Sequence, residues 1–366
     1  MPSARSAIAA TALATAVALP HMAAAEGTLN FYNWSDYIAE DTLPNFEAET
    51  GIKVNYDVYD SNDVVEAKLL AGNSGYDLVV PTAMPTLARL IKAGAVQKLD
   101  KSKIPNLANL DPDLMDRVRS ADPNLEYAAI WQWGTNGVGI NVAKVKERLG
   151  DVPLDTFDLL FDPETVAKLA DCGVTLLDSA EEVMPLVINY LGGDPATEDP
   201  AELQKAEDHL MKLRQYYRYF HSSRYINDLA NGEICVAGGF SGDVFIAAAR
   251  AEEADNGVTI EYKIPREGTF IWFDVMTIPA GAPNVDAAHA FINYALEPKV
   301  MADVTNYVWY ANAVPASLEM VDEEVRTDPA IFPTDEVKKK LFAATLKSPR
   351  FTRALNRSWT TVRTGK

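Results

Sequence analysis

Short apolar strands and amphipathic helices alternate along this chain, pause, and then alternate again, and this double series limits the fold more than any other feature of the sequence. Residues 29–32 read as a strand, 42–50 as a helix stopped by Gly51, 53–59 as a second strand and 62–71 as a second helix. Asp77-Leu78-Val79-Val80 is a continuous apolar run, as expected of a central parallel strand covered on both faces. The unit is βαβαβ, and a helix over 87–93 extends it. Residues 127–133 then lead to Gly134, Gly137 and Gly139, a passage suited to a hinge between domains. From Asn141 the series restarts, with helices over 142–149, 181–191, 201–213, 222–231 and 244–254 and strands near 174–178 and 234–237.

The expected class is therefore α/β with two lobes. The 366 residues suit two domains at about 100–200 each. Strands over 259–265 and 269–279, and helices starting at Val285 and near Pro298, are assigned back to the first lobe, and 311–366 to the second. The boundaries so drawn are 26–133 plus 255–300 for the N-terminal lobe and 134–254 plus 301–366 for the C-terminal lobe. With two or more chain crossings, such lobes face each other across a cleft at the carboxyl ends of their strands.

The N-terminus carries an address. Arg5 precedes an uncharged stretch ending in Ala23-Ala24-Ala25, and the apolar core over 8–19 is too short to span a bilayer. Residues 1–25 read as a secretory signal peptide cleaved after Ala25, which directs the mature protein to the periplasm. No cysteine follows the apolar core to take a lipid. Cys172 and Cys235 are then read as one disulfide in an oxidising compartment, with two buried thiols as the alternative. A formal charge of −19 repels nucleic acid and anionic lipid and attracts small cations.

Enzyme signatures are missing: the sequence has no G-x-S-x-G elbow, H-E-x-x-H, Walker A loop or G-x-G-x-x-G after a strand. His21 leaves with the signal, and His209, His221 and His289 lack ligand spacing, so neither a metal site nor a cofactor is expected. What the strand-end loops hold is aromatic and acidic residues together. In Asn33-Trp34-Ser35-Asp36-Tyr37, Trp34 either plugs the core or faces a ligand, and Asp36 either solvates the turn or binds. Asp274 lies within Phe270-Ile271-Trp272-Phe273-Asp274-Val275-Met276, where an unpaired buried carboxylate costs several kcal/mol. It needs a cation, either an internal arginine or a bound ammonium. Asp243 can cap a helix or bind a cation; Ser179-x-x-Glu182 fits a capping box, and Ser222 a helix start. Thr82 and Tyr310 are individually uninformative. Together these residues suit a chain of methylenes bearing ammonium groups, which carboxylates hold by charge-assisted hydrogen bonds and aromatic faces cover.

Several stretches also resemble the putrescine- and spermidine-binding periplasmic proteins of bacterial ABC importers. They are Tyr32-Asn33-Trp34-Ser35-Asp36-Tyr37-Ile38, Tyr56-Asp57-Val58-Tyr59-Asp60-Ser61-Asn62, Asp77-Leu78-Val79-Val80-Pro81 and Tyr219-Phe220-His221-Ser222-Ser223, continuing through Tyr225-Ile226-Asn227-Asp228-Leu229-Ala230-Asn231-Gly232. The resemblance covers the mature chain and implies a type II periplasmic binding fold, a polyamine ligand, an inner-membrane ABC permease as partner and a monomer that is not an enzyme. It also implies a ligand box at Trp34, Ser35, Asp36, Tyr37, Thr82, Glu182, Ser222, Phe240, Asp243, Trp272, Asp274 and Tyr310. By that resemblance Asp243 and Asp274 hold ammonium groups, Trp34, Phe240, Trp272 and Tyr310 wall the methylenes, and Glu182 acts near the far end. Phe240 and Thr82 stand where relatives often have Trp and Ser. Trp272 is closer to spermidine-preferring members and Ser35-Asp36 to putrescine-preferring ones. The competing readings are a polyamine-modifying enzyme on the same cleft and a ferric-ion carrier using Tyr216, Tyr217 and Tyr219.

Overall fold

The computed structural model describes residues 27–366, so the signal peptide and its cleavage after Ala25 lie outside the described residues. Its strands are β1 (Gly27–Trp34), β2 (Ile52–Tyr59), β3 (Leu78–Val79), β4 (Val96–Gln97), β5 (Ala128–Asn141), β6 (Val174–Leu176), β7 (Tyr217–Phe220), β8 (Val236–Phe240), β9 (Ile260–Lys263) and β10 (Ile271–Pro279). β1 pairs in parallel with β2 along its length and with β3 at Phe31 and Tyr32. The intervening helix Thr42–Thr50 ends at Gly51, whose φ of 75° is the left-handed conformation a glycine accepts without strain. The expected βαβαβ unit is thus present.

The strands form one path in the order β2-β1-β3-β10-β5-β8-β6-β7, with β4 on β10 and β9 on β5. At its centre is β5, buried over its whole length. Its first part pairs antiparallel with β10, and its second, from Asn136 to Asn141, pairs with β8 and β9. The glycine passage read as suited to a hinge is regular strand. Gly134 and Gly137 are needed there for close approach. A Cβ on the first would meet the Trp272 ring at 2.8 Å, and one on the second would meet Tyr262 at 2.5 Å.

Two hydrophobic clusters lie along this path, one for each lobe. The first gathers Phe31, Phe46, Leu78, Trp131, Val275 and Phe291; burying each such side chain contributes about 1.5–3 kcal/mol. The second gathers Val138, Phe157, Val174, Tyr225, Val236 and Trp359. The packing departs from the expected boundaries in two places. Met301 through Ile331 belong to the first cluster, because the helix Pro298–Val308 carries Met301 and Val304 into it. Ile260 and Tyr262 belong to the second, because β9 pairs with the far part of β5. The chain crosses along β5, again between Phe270 and Ile271, and once more beyond Ile331. Cys172 and Cys235 form a disulfide within the second cluster, with Cα atoms 5.5 Å apart.

Candidate functional site

Between the two clusters, where β1, β8 and β10 present their ends, lies a cavity. Its first wall is built on the βαβ unit. Trp34, the last residue of β1, donates its indole N–H to the Val80 carbonyl at 2.8 Å and rests against Tyr59 at 4.8 Å between ring centroids. The amide and hydroxyl of Ser35 both donate to the Tyr59 carbonyl, which fixes the turn. Asp36 has a φ of 54°, a conformation Asp tolerates better than most residues, and this swings Tyr37 back into the cleft. There the Tyr37 ring meets the Tyr310 ring edge-on at 5.0 Å.

β10 supplies Trp272 and Asp274, which share a face by the two-residue period of a strand. Between Asp274 and Val275 the ladder to β5 slips, so that Gln132 and Ile130 are successive partners and Trp131 is the extra residue. A bulge of this kind bends the pair and re-aims side chains beside a site. The Thr82 hydroxyl donates to Asp274 Oδ1 at 2.7 Å, and Asn62 holds Thr82 through both its amide and its hydroxyl. The Tyr37 hydroxyl faces Asp274 without reaching hydrogen-bond geometry.

The second wall is built on β8 and the helix Ser241–Glu253. Asp243 lies in that helix's first turn, but its carboxylate does not cap it. It accepts instead from Tyr225 Oη at 2.7 Å and Tyr310 Oη at 2.9 Å. Two glycines make this possible. A Cβ on Gly239 would meet the Tyr225 ring at 2.6 Å, and one on Gly242 would meet Tyr310 at 2.2 Å. Ser222 is likewise not a cap: its hydroxyl accepts from the Asp178 amide at 3.2 Å. Glu182, in the first turn of the helix Ala180–Tyr190, reaches the same cavity, and Ser179 forms no capping bond.

Burial dominates the electrostatics. It pushes Asp274 up to about 7, against the hydroxyls of Thr82 and Tyr37, and the negative charge of Asp243 adds to the rise. Asp243 is also pushed up to about 7 by burial, against its two tyrosines. Burial raises Glu182 to about 8, with Asp274 and Glu181 adding to it. Among the described residues neither Asp243 nor Asp274 has a lysine or arginine in an ion pair, although Asp274 is only 5% exposed and Asp243 9%. Arg250, which faces Asp243, is held by Asp36 at 2.7 Å. The site therefore concentrates negative charge between aromatic rings: Trp272 meets Phe240 at 6.0 Å and Tyr310 at 5.4 Å.

The model of a family described as bacterial extracellular solute-binding protein matches residues 43–334. The chain belongs to that family. It is 51% identical over 358 residues to the putrescine-binding periplasmic protein SpuD of Pseudomonas aeruginosa, covering 98% of this chain and 97% of that one. It is also 51% identical over 353 residues to the putrescine-binding periplasmic protein PotF of Escherichia coli, covering 96% and 95%. The solved structure of the spermidine/putrescine ABC transporter substrate-binding protein PotD from Streptococcus pneumoniae superposes with a TM-score of 0.74 at 28% identity, over 93% of this chain and 99% of that one.

In this solute-binding protein the residues singled out in the sequence come together, with one exception. Trp34, Ser35, Tyr37, Thr82, Glu182, Ser222, Phe240, Asp243, Trp272, Asp274 and Tyr310 line the cavity. Asp36 does not, because its carboxylate turns outward to Arg250 across the mouth of the cleft. The sequence reading passed over Tyr59, Asp60, Ser223 and Ile226, which also line it, and Tyr225, which holds Asp243. All of these stand inside the stretches that carry the family resemblance, which was the one signal available for them. The tyrosines considered for iron do not converge: Tyr217 donates to the Leu160 carbonyl and Tyr219 to Asp228.

Proposed function

We propose that this protein captures a polyamine, putrescine or spermidine, in the cleft between its lobes and delivers it unchanged to an inner-membrane ABC permease. The observation that carries this reading is the pair of buried carboxylates, Asp243 and Asp274, which share one aromatic-walled cavity and have no cationic partner among the described residues. A buried carboxylate without a partner is costly, and a ligand ammonium removes the cost by charge-assisted hydrogen bonds. Trp34, Phe240, Trp272 and Tyr310 cover the methylenes, and cation–π attraction adds roughly 0.5–2 kcal/mol at each favourable face. An anion would meet only repulsion here. The relatives named for putrescine, and their periplasmic location, support the same ligand and compartment. The two clusters act as the closing lobes, and the protein works as a monomer.

Calorimetry across putrescine, cadaverine, spermidine, agmatine and basic amino acids tests the reading. Tight binding confined to polyamines is expected. Binding of a neutral or anionic solute in their place would overturn it. Fractionation of cells producing the full chain should recover the processed protein from the periplasm.

A further inference from the structure

Among the described residues the Asp274 carboxylate accepts one side-chain hydrogen bond, from the Thr82 hydroxyl at 2.7 Å. The backbones of the two residues face each other in an antiparallel bridge, and the Val275 amide donates to the Pro81 carbonyl at 3.0 Å. Where the Thr82 proton points is decided by Asn62, a residue outside the aromatic box. Asn62 stands at the start of the helix Asn62–Leu70, yet its side chain caps nothing there, and both its polar atoms go to Thr82.

The geometry leaves one direction for these bonds. The Thr82 amide can only donate, so it fixes Asn62 Oδ1 as its acceptor at 3.2 Å. That turns Asn62 Nδ2 toward Thr82 Oγ1 at 2.9 Å, and this nitrogen can only donate. The hydroxyl accepts there and keeps its single proton for Asp274 Oδ1. A backbone amide thus orients three successive hydrogen bonds, and β-branched Thr82 has few rotamers by which to leave them.

The direction matters because no other group reaches Asp274 as a donor. On the first wall Tyr37 faces it without hydrogen-bond geometry and Tyr59 lies near; on the second, Glu182 and Asp243 approach as like charges. Burial raises the Asp274 carboxyl, and the Thr82 hydroxyl opposes the rise. With that hydroxyl turned away, the carboxyl would hold its proton more firmly and meet an ammonium as a weaker, neutral acceptor.

We infer that Asn62 is a positioning residue for ligand capture, which commits the Thr82 proton to Asp274 and so keeps that carboxylate charged and aimed at an ammonium. This rests on the polyamine reading of the cleft.

Putrescine calorimetry from about pH 6 to 8 tests it. Asn62→Ala should weaken binding at least about threefold at pH 7 and move the pH at which affinity falls upward. If Asn62 acts through Thr82, the same substitution made in a Thr82→Val background should cost less than about 1.5-fold more. Asn62→Asp keeps the size and the acceptor for the Thr82 amide but has no proton to give, so it should lose as much as Asn62→Ala. A merely structural role predicts instead that Asn62→Asp binds like the unaltered protein. Full-sized loss persisting in the Thr82→Val background, or an unmoved pH profile, would overturn the inference. Carbon-13 titration of the Asp274 carboxyl in the ligand-free protein, its signal identified by Asp274→Asn, separates the two readings. An unmoved titration in Asn62→Ala, in a protein that binds putrescine, would overturn the role of Asn62 alone. Failure of the unaltered protein to bind any polyamine would overturn the ligand reading and the capture role with it.

Discussion

The two walls of the cleft reach the same electrostatic condition by different means. On the first wall Asp274 sits in the middle of a strand, where backbone amides are committed to the ladder, and one hydroxyl, that of Thr82, donates to it. On the second wall Asp243 sits in the first turn of a helix, near its positive end, and two tyrosines donate to it. Both carboxyls are nevertheless pushed up to about 7 by burial. The lesson is that two carboxylates facing one cleft reach the same electrostatic condition without matched halves. Each lobe brings a desolvated carboxylate on whatever element reaches the cleft, and the aromatic rings keep water away.

The largest effect expected from disturbing this comparison is on stability. The second lobe is stapled by a disulfide closing a separation of 63 residues and the first has no staple, so replacing Cys172 and Cys235 by Ser should cost on the order of 4 kcal/mol. Urea unfolding followed by circular dichroism checks this, and an unchanged midpoint would count against it. Next, Asp274→Asn should weaken polyamine binding by at least about tenfold, or about 1.4 kcal/mol, with the fold intact. Asp243→Asn should cost less, because its helix turn and tyrosines already compensate part of the charge. Titration calorimetry on both variants decides, and equal losses would mean that the surrounding donors do not matter.

The third effect is on pH dependence. Asp243 and Asp274 are raised in the folded state, so between about pH 4 and their folded values near 7 the folded protein binds more protons than the unfolded chain. Ligand-free stability from these groups is therefore greatest below the unfolded pKa and is lost as pH rises through about 7. Affinity runs the other way: each carboxyl that must ionise to meet an ammonium weakens binding by up to about tenfold per pH unit below its folded value. Melting curves and calorimetry from about pH 5 to 8 measure both slopes, and parallel slopes would contradict the assignment. The smallest effect belongs to Asp36. Its half-exposed pair with Arg250 joins the walls at the cleft mouth, where such pairs are worth about 0–1 kcal/mol, so Asp36→Asn should change affinity less than about fivefold and the change should vanish at high salt.

These residues also differ in how plainly the sequence announced them. Asp274 was legible because a carboxylate within an apolar strand has few innocent explanations. Asp243 was not, because an acidic residue at a helix start usually caps it, and only the packing of Tyr225 and Tyr310 shows that this one does not. Periodicity read the βαβαβ unit within a residue or two, since local alternation carries that signal. It could not read which lobe Met301–Ile331 or β9 joins, because that choice is made by contacts distant in sequence. The pairing of Asp36 with Arg250 was not legible either, because only the fold brings Arg250 across to it.

One consequence of β5 concerns how proteins of this design can be recombined. Its near part is committed to one core through β10 and its far part to the other through β8 and β9. No cut along it leaves two complete sheets. A chimera that takes its second lobe from a relative must therefore import β8, β9 and the Phe270–Ile271 crossing together with the far half of β5, in unbroken register. A slip of one residue would turn Asn136, which lines the cleft, to the other face and put Thr135 or Gly137 in its place. The lobes are inherited as a pair, and any change of ligand length has to be written into side chains while the strand that joins the lobes stays fixed.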